Sequence, residues 1–160
     1  MSRLDSFIRR MTAQRDILNS VASQSLVPQS GHILEVGLGN GRTYSHLKEL
    51  FPERRIIVFD RAVQAHSSST PDPENMVVGE IEQTARAFAG QDAAMVHADI
   101  GTGYEQKDAV TLQWLPSLVV DLLASGGIAV SGLPLENTAL APLPLPDGID
   151  SKRYYIYRKI

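Results

Sequence analysis

The apolar run Ile33-Leu34-Glu35-Val36 passes directly into Gly37-Leu38-Gly39-Asn40-Gly41, and this junction constrains the fold more than any other stretch of the chain. A short apolar run with β-branched members reads as a strand. The alternating glycines stop it, and the amphipathic stretch from Thr43 to Phe51 then reads as a helix, so the local order is strand, turn, helix. Glycine lets the backbone turn sharply and lets a ligand approach the main chain, while the free N–H groups of the next helix attract negative or acceptor groups. A second apolar run, Arg55 to Asp60, ends on a carboxylate roughly 20 residues downstream, where such an acid accepts bonds from ribose hydroxyls. The two features together read as a nucleotide-type cofactor site.

Spacing separates the candidate nucleotides. The dinucleotide fingerprint is G-x-G-x-x-G, whereas Gly37, Gly39 and Gly41 form G-x-G-x-G, Arg42 follows them, and Glu35 stands two residues ahead of the first glycine. E-x-G-x-G-x-G after a strand, with Asp60 closing the next strand, resembles the first two motifs of class I S-adenosylmethionine-dependent methyltransferases. The resemblance covers residues 31–132. It implies that Glu35, Gly37, Leu38, Gly39, Asn40 and Gly41 surround the methionine part of S-adenosylmethionine and that Asp60 binds the ribose diol. Gly79, Glu80 and Ile81 would border adenine, and Asp99 would face the methionine end and the reacting methyl. Arg61 is grouped with this set by its place beside Asp60; it reads as a solvated side chain in preference to a partner for a 2′-phosphate. The chain departs from the family in having a short polar piece between strands two and three, and one evident strand after the fifth where two are usual. Ala98-Asp99-Ile100-Gly101 also stands where enzymes that methylate nucleic-acid amino groups carry N/D-P-P-Y/F, which weakens a base-methylating reading.

Periodicity organises the rest. Leu4, Phe7, Ile8, Met11, Ile17, Leu18 and Val21 recur at three- and four-residue intervals, predicting one or two amphipathic helices over residues 1–27. Residues 61–75 hold a serine–threonine cluster with Pro71 and Pro73 and read as loop. Met76 to Gly79 and Ala93 to Asp99 read as strands three and four, with a helix from Glu80 to Phe88 between them. Asp108 to Ala124 reads as a helix kinked or split at Pro116 and stopped by Gly126 and Gly127. Ile128 to Ser131 is the fifth strand, and Tyr154 to Tyr157 lies in a last strand at the sheet edge, blunted by Arg158 and Lys159. Strands alternating with helices predict an α/β fold, a three-layer Rossmann-like doubly wound, mostly parallel sheet with helices on both faces. Residues 1–160 are expected to form a single domain, with residues 31–132 as its core and 133–160 as a tail.

Charge and composition narrow the partners. Fifteen Lys and Arg against 18 Asp and Glu give a net charge of −3, with no long basic run, so no nucleic-acid-binding surface is evident. Cysteine is absent, no apolar run has signal-peptide or membrane-span character, and a cytoplasmic protein is expected. The four histidines are scattered without metal-ligand spacing, so no metal is expected. Methyl transfer from a sulfonium is an in-line displacement that needs alignment first and a base only where the acceptor carries a proton. Asp99 and His97, alternating on one strand, are the candidate acid/base residues, although a strand histidine is more often a hydrogen-bonded core residue. The reading is an S-adenosylmethionine-dependent methyltransferase acting on a small-molecule acceptor, with residues 1–27 or 133–150 available for homo-oligomer contacts. The alternatives are a nucleotide- or NAD(P)-binding Rossmann-like protein, or a protein that binds S-adenosylmethionine without turning over.

Overall fold

A computed structural model describes residues 1–160. Seven strands form one sheet: β1 Ile33–Val36, β2 Ile56–Asp60, β3 Met76–Val78, β4 Ala93–Ala98, β5 Leu123–Ser131, β6 Leu140–Pro142 and β7 Tyr155–Lys159. Their order is β3-β2-β1-β4-β5-β7-β6; the first five run parallel, and β7 is antiparallel to both of its neighbours. Five helices cover the sheet: α1 Arg3–Ser23, α2 Arg42–Leu50, α3 Ile81–Arg86, α4 Glu105–Leu112 and α5 Leu115–Leu122. None is long and apolar enough to cross a membrane.

The two-residue period of a strand sends alternate side chains to opposite faces. Leu34, Val36, Ile57, Phe59, Val96 and Ala129 bury themselves under α3 and α5. Ile33, Val58, Met95, Ile128 and Val130 pack under α1 and α2. Both faces are covered, which is why the strands read as nearly continuous apolar runs. Each fully buried Leu or Ile contributes about 1.5–3 kcal/mol through removal of apolar surface from water. Along α1, Ala13, Ile17, Leu18 and Val21 supply the buried stripe. Its N-terminus is closed by a capping box in which Ser2 Oγ accepts from Asp5 N–H and the Asp5 carboxylate accepts from Ser2 N–H.

The structure corrects the sequence reading in three places. Residues 61–75 carry only two short 3₁₀ turns, as their loop composition implies, yet the tail holds two strands where one was evident. The additional strand, β6, is only three residues long and contains Pro142, so it has little periodicity to read, and it takes the edge position. β7 therefore lies inside the sheet, and Arg158 and Lys159 satisfy main-chain carbonyls of Leu26, Gly126, Val120 and Leu123. Pro116 splits the long helix into α4 and α5, sitting in the first turn of α5 where its missing N–H costs nothing. Gly126 and Gly127 do not end that helix but lie within β5. There β5 advances from Leu123 to Ile128 while β4 advances only from Ala93 to Met95.

Candidate active site

Between β1 and β4 the strand order reverses, and the loops that leave their carboxyl ends diverge to open a crevice. The glycine loop follows β1 and Asp99 follows β4, so both sequence motifs reach the same crevice. Gly39 and Gly41 have φ of +51° and +78°. A Cβ at Gly41 would collide with the Ser69 main chain, and one at Gly39 would project into open space in the cleft. One position needs glycine for packing; the other keeps the cleft clear.

Asp60 holds this loop. Its Oδ2 accepts from Leu38 N–H at 2.8 Å and Gly39 N–H at 3.1 Å, and its Oδ1 accepts from Arg61 N–H at 2.7 Å. Arg61 Nε stands 3.4 Å from Glu80 Oε2, both side chains being largely exposed. The Glu80 carboxylate places a like charge beside the position that a 2′-phosphate would take on Arg61, which disfavours an NADP site.

Glu35 and His97 are cross-strand neighbours in the β1–β4 register, on the face beneath α1 and α2. Both are fully buried, and His97 Nδ1 lies 2.6 Å from Glu35 Oε1. Glu35 is therefore not a cleft-lining residue, and Glu35 Oε2 has no hydrogen-bond partner. His97 does not touch Asp99: its Nε2 lies 2.8 Å from the hydroxyl of Tyr154, also fully buried, so the two are not a direct acid/base pair. Gln14 Nε2 donates to that hydroxyl at 2.9 Å and to Asp99 Oδ2 at 2.5 Å, and Arg10 Nη2 donates to Asp99 Oδ1 at 2.5 Å. Burial drives the Glu35 carboxyl above its ordinary value despite the opposing pull of His97. For His97, burial pushes down, but the neighbouring Glu35 carboxylate outweighs it and the net direction is up.

Two cavities meet at Asp99. One, of about 250 Å³, is lined by Arg10, Gln14, Gly37, Gly39, Asn40 and Asp99 among others. The second, of about 340 Å³, opens between Arg10, Asp99, Thr102, Gly132, Lys152 and Arg153. A separate groove of about 660 Å³ runs past Arg61, Glu80, Ile81, Ile100 and Trp114. Asp60 links the sides: it bonds the loop lining the first cavity and precedes the arginine that lines the groove. The residues that sequence reasoning missed are Arg10, Gln14 and Tyr154. Arg10 and Gln14 share a helical face with Ile17, Leu18 and Val21, and a polar pair on a buried stripe is the signal that could have revealed them. Tyr154 carries no comparable local signal.

A family model described as S-adenosyl-L-methionine methyltransferase matches residues 1–159. The chain belongs to this methyltransferase family. A crystal structure of an S-adenosyl-L-methionine methyl transferase from Silicibacter pomeroyi DSS-3 is 40% identical, with a TM-score of 0.90 over 99% of both chains. An S-adenosylhomocysteine-bound Podospora anserina methyltransferase is similar in fold, at 14% identity and a TM-score of 0.57 over 90% of this chain and 76% of that one. The antibiotic-resistance methyltransferase Kmr is likewise similar in fold, at 17% identity and a TM-score of 0.54 over 86% of this chain and 90% of that one. A search of curated proteins finds no match to the sequence.

The methyltransferase uses S-adenosylmethionine, and its crevice fits that cofactor chemically. The open space at the missing Cβ of Gly39 leaves the backbone approachable, and polar side chains line the adjoining cavity. The half-apolar groove beyond Asp60 suits a base; of the two arginines that line the loop cavity, Arg10 is paired with Asp99 and Arg42 lies over the Phe7 ring.

Proposed function

We propose that the cofactor's methionine end lies on Gly37, Leu38, Gly39, Asn40 and Gly41, its ribose against Asp60, and its adenine beside Gly79, Glu80 and Ile81 with Arg61 at the rim. The acceptor then enters the cavity between Thr102, Gly132, Lys152 and Arg153. The observation that carries this reading is that Asp99 lines both cavities. A residue at that junction touches donor and acceptor alike. Bound S-adenosylmethionine supplies an electrophilic methyl group, and the chain's own contribution is alignment. Asp99 is the proposed catalytic residue: its carboxylate, oriented by Arg10 and Gln14, accepts a hydrogen bond or proton from the acceptor nucleophile. His97 acts behind it, through Tyr154, rather than on substrate.

A small-molecule acceptor is favoured by the cavity of about 340 Å³ and by the net charge of −3. Exposed Leu4, Phe7 and Ile8 on α1 support homo-oligomer contact through that helix, which sedimentation tests. A cytoplasmic location is compatible with the composition without cysteine. The test of the site is titration calorimetry with S-adenosylmethionine and S-adenosylhomocysteine, with NAD and NADP as controls, on the wild type and Asp99→Asn. The expected result is binding of the sulfur cofactors alone, weakened in the variant; binding of a nicotinamide cofactor instead overturns the assignment.

A further inference from the structure

Glu35, His97, Tyr154, Gln14, Asp99 and Arg10 form one unbroken hydrogen-bond chain, from a carboxylate sealed under the sheet to a carboxylate at the cavity junction. Its polarity follows from counting donors. Gln14 must aim its amide nitrogen at Asp99, because its amide oxygen there would face a carboxylate oxygen at 2.5 Å. The same nitrogen donates its second hydrogen to Tyr154 Oη. The phenolic oxygen therefore accepts from Gln14, and its own hydrogen has one remaining partner, His97 Nε2. That nitrogen must carry a lone pair, so the imidazole hydrogen sits on Nδ1 and is donated to Glu35 Oε1. If Nε2 carried a hydrogen, the buried Tyr154 hydroxyl would receive two donors and lose the acceptor for its own. Restoring that acceptor means turning the Gln14 amide, which withdraws its N–H from Asp99.

We propose that Gln14 and Tyr154 are positioning residues for Asp99, and that with the buried His97–Glu35 pair they hold its carboxylate at the donor–acceptor junction only while His97 Nε2 is unprotonated. The inference rests on the assignment of Asp99 to that junction. Arg10 alone does not fix the carboxylate, because its side chain is 42% exposed and its guanidinium is free to reorient in water. The fully buried phenol and imidazole have no such freedom. The charged and titratable groups facing His97 are Glu35 from β1, Tyr154 ahead of β7, Asp99 at the end of β4 and Arg10 from α1. Glu35 favours the proton on the ring and burial opposes it, so the chain opens as pH falls through the His97 titration and closes as pH rises.

The test uses the 160-residue chain. Nitrogen-15 NMR of the histidines should show His97 as the Nδ1–H tautomer on the alkaline side of its titration; an Nε2–H tautomer there overturns the proposal. Calorimetry with S-adenosylmethionine is run across that titration for the wild type, Asp99→Asn, Tyr154→Phe and Gln14→Met. Wild-type affinity should rise with pH. Tyr154→Phe and Gln14→Met each remove two hydrogen bonds of the chain and should each bind at least about fivefold more weakly, the effect of one net hydrogen bond, and lose the part of the pH dependence that tracks His97. Gln14→Met keeps side-chain length and decides the matter if Tyr154→Phe does not fold. Unchanged affinity in Asp99→Asn overturns the site assignment on which the proposal rests. Weakened binding in Asp99→Asn, with Gln14→Met and any folded Tyr154→Phe retaining wild-type affinity and pH profile, overturns the positioning chain and leaves the site intact.

Discussion

At Asp60 the carboxylate accepts three backbone N–H groups, from Leu38, Gly39 and Arg61, before any ribose hydroxyl is counted. Asp60→Ala removes a proposed ligand contact and the clamp on the glycine loop together. S-adenosylmethionine affinity should fall by about 1.5–3 kcal/mol, roughly 10- to 150-fold, and unchanged affinity in calorimetry would contradict the assignment. Gly39→Val probes the neighbouring backbone differently. A β-branched residue at φ +51° is strained, and its side chain projects into the cleft, so binding should be lost while most of the fold survives. Retained binding in a folded Gly39→Val protein, judged by circular dichroism and calorimetry, would move the cofactor elsewhere. These positions were legible because chain pattern and chemistry coincide there. Glu35 was legible as part of the motif but not in its placement, since only the strand register turns it toward His97.

Elements differ in how much of their role is local. α1 begins at a capping box that Ser2 and Asp5 complete within one turn. Ser2→Ala should lower stability by about 1 kcal/mol in urea titration, as an N-cap loss does, and leave cofactor affinity near that of the wild type. Farther along the same helix, Arg10 and Gln14 reach Asp99 across 89 and 85 positions of sequence, so α1 closes the site as well as covering the sheet. α5 is the opposite case. Leu118 and Leu122 are fully buried on the face away from Glu35, and Leu118→Ala should cost about 2–5 kcal/mol in denaturant titration through the cavity it leaves. A cost below about 1 kcal/mol would mean that α5 repacks onto the sheet. Helices read well where a stripe repeats over several turns, whereas β6, three residues long with a proline, is defined only by its partner β7.

For the molecule as a whole, the buried pair couples stability to pH. His97 and Glu35 are both raised in the folded chain, so the folded state holds protons more tightly than the unfolded one. The stability gained through His97 is fully present below the ordinary imidazole value near pH 6.5 and is lost as pH rises through the raised folded value. The Glu35 shift has the same sign. Calorimetric melting temperature should therefore fall over that interval, and a rise would contradict the directions inferred. S-adenosylmethionine affinity should move the opposite way over the same interval, which separates the two effects. The sequence alone determined the alternation of strands and helices, the glycine turn and the acid that closes β2, because each is written within a few neighbouring residues and enforced by backbone sterics and periodicity. Only the tertiary structure decided that Glu35 and His97 lie side by side, that Tyr154 is fully buried between His97 and Gln14, and that β7 is interior. Those side-chain contacts join residues 57 to 140 positions apart, and no local propensity encodes which buried polar groups a folded sheet will bring together.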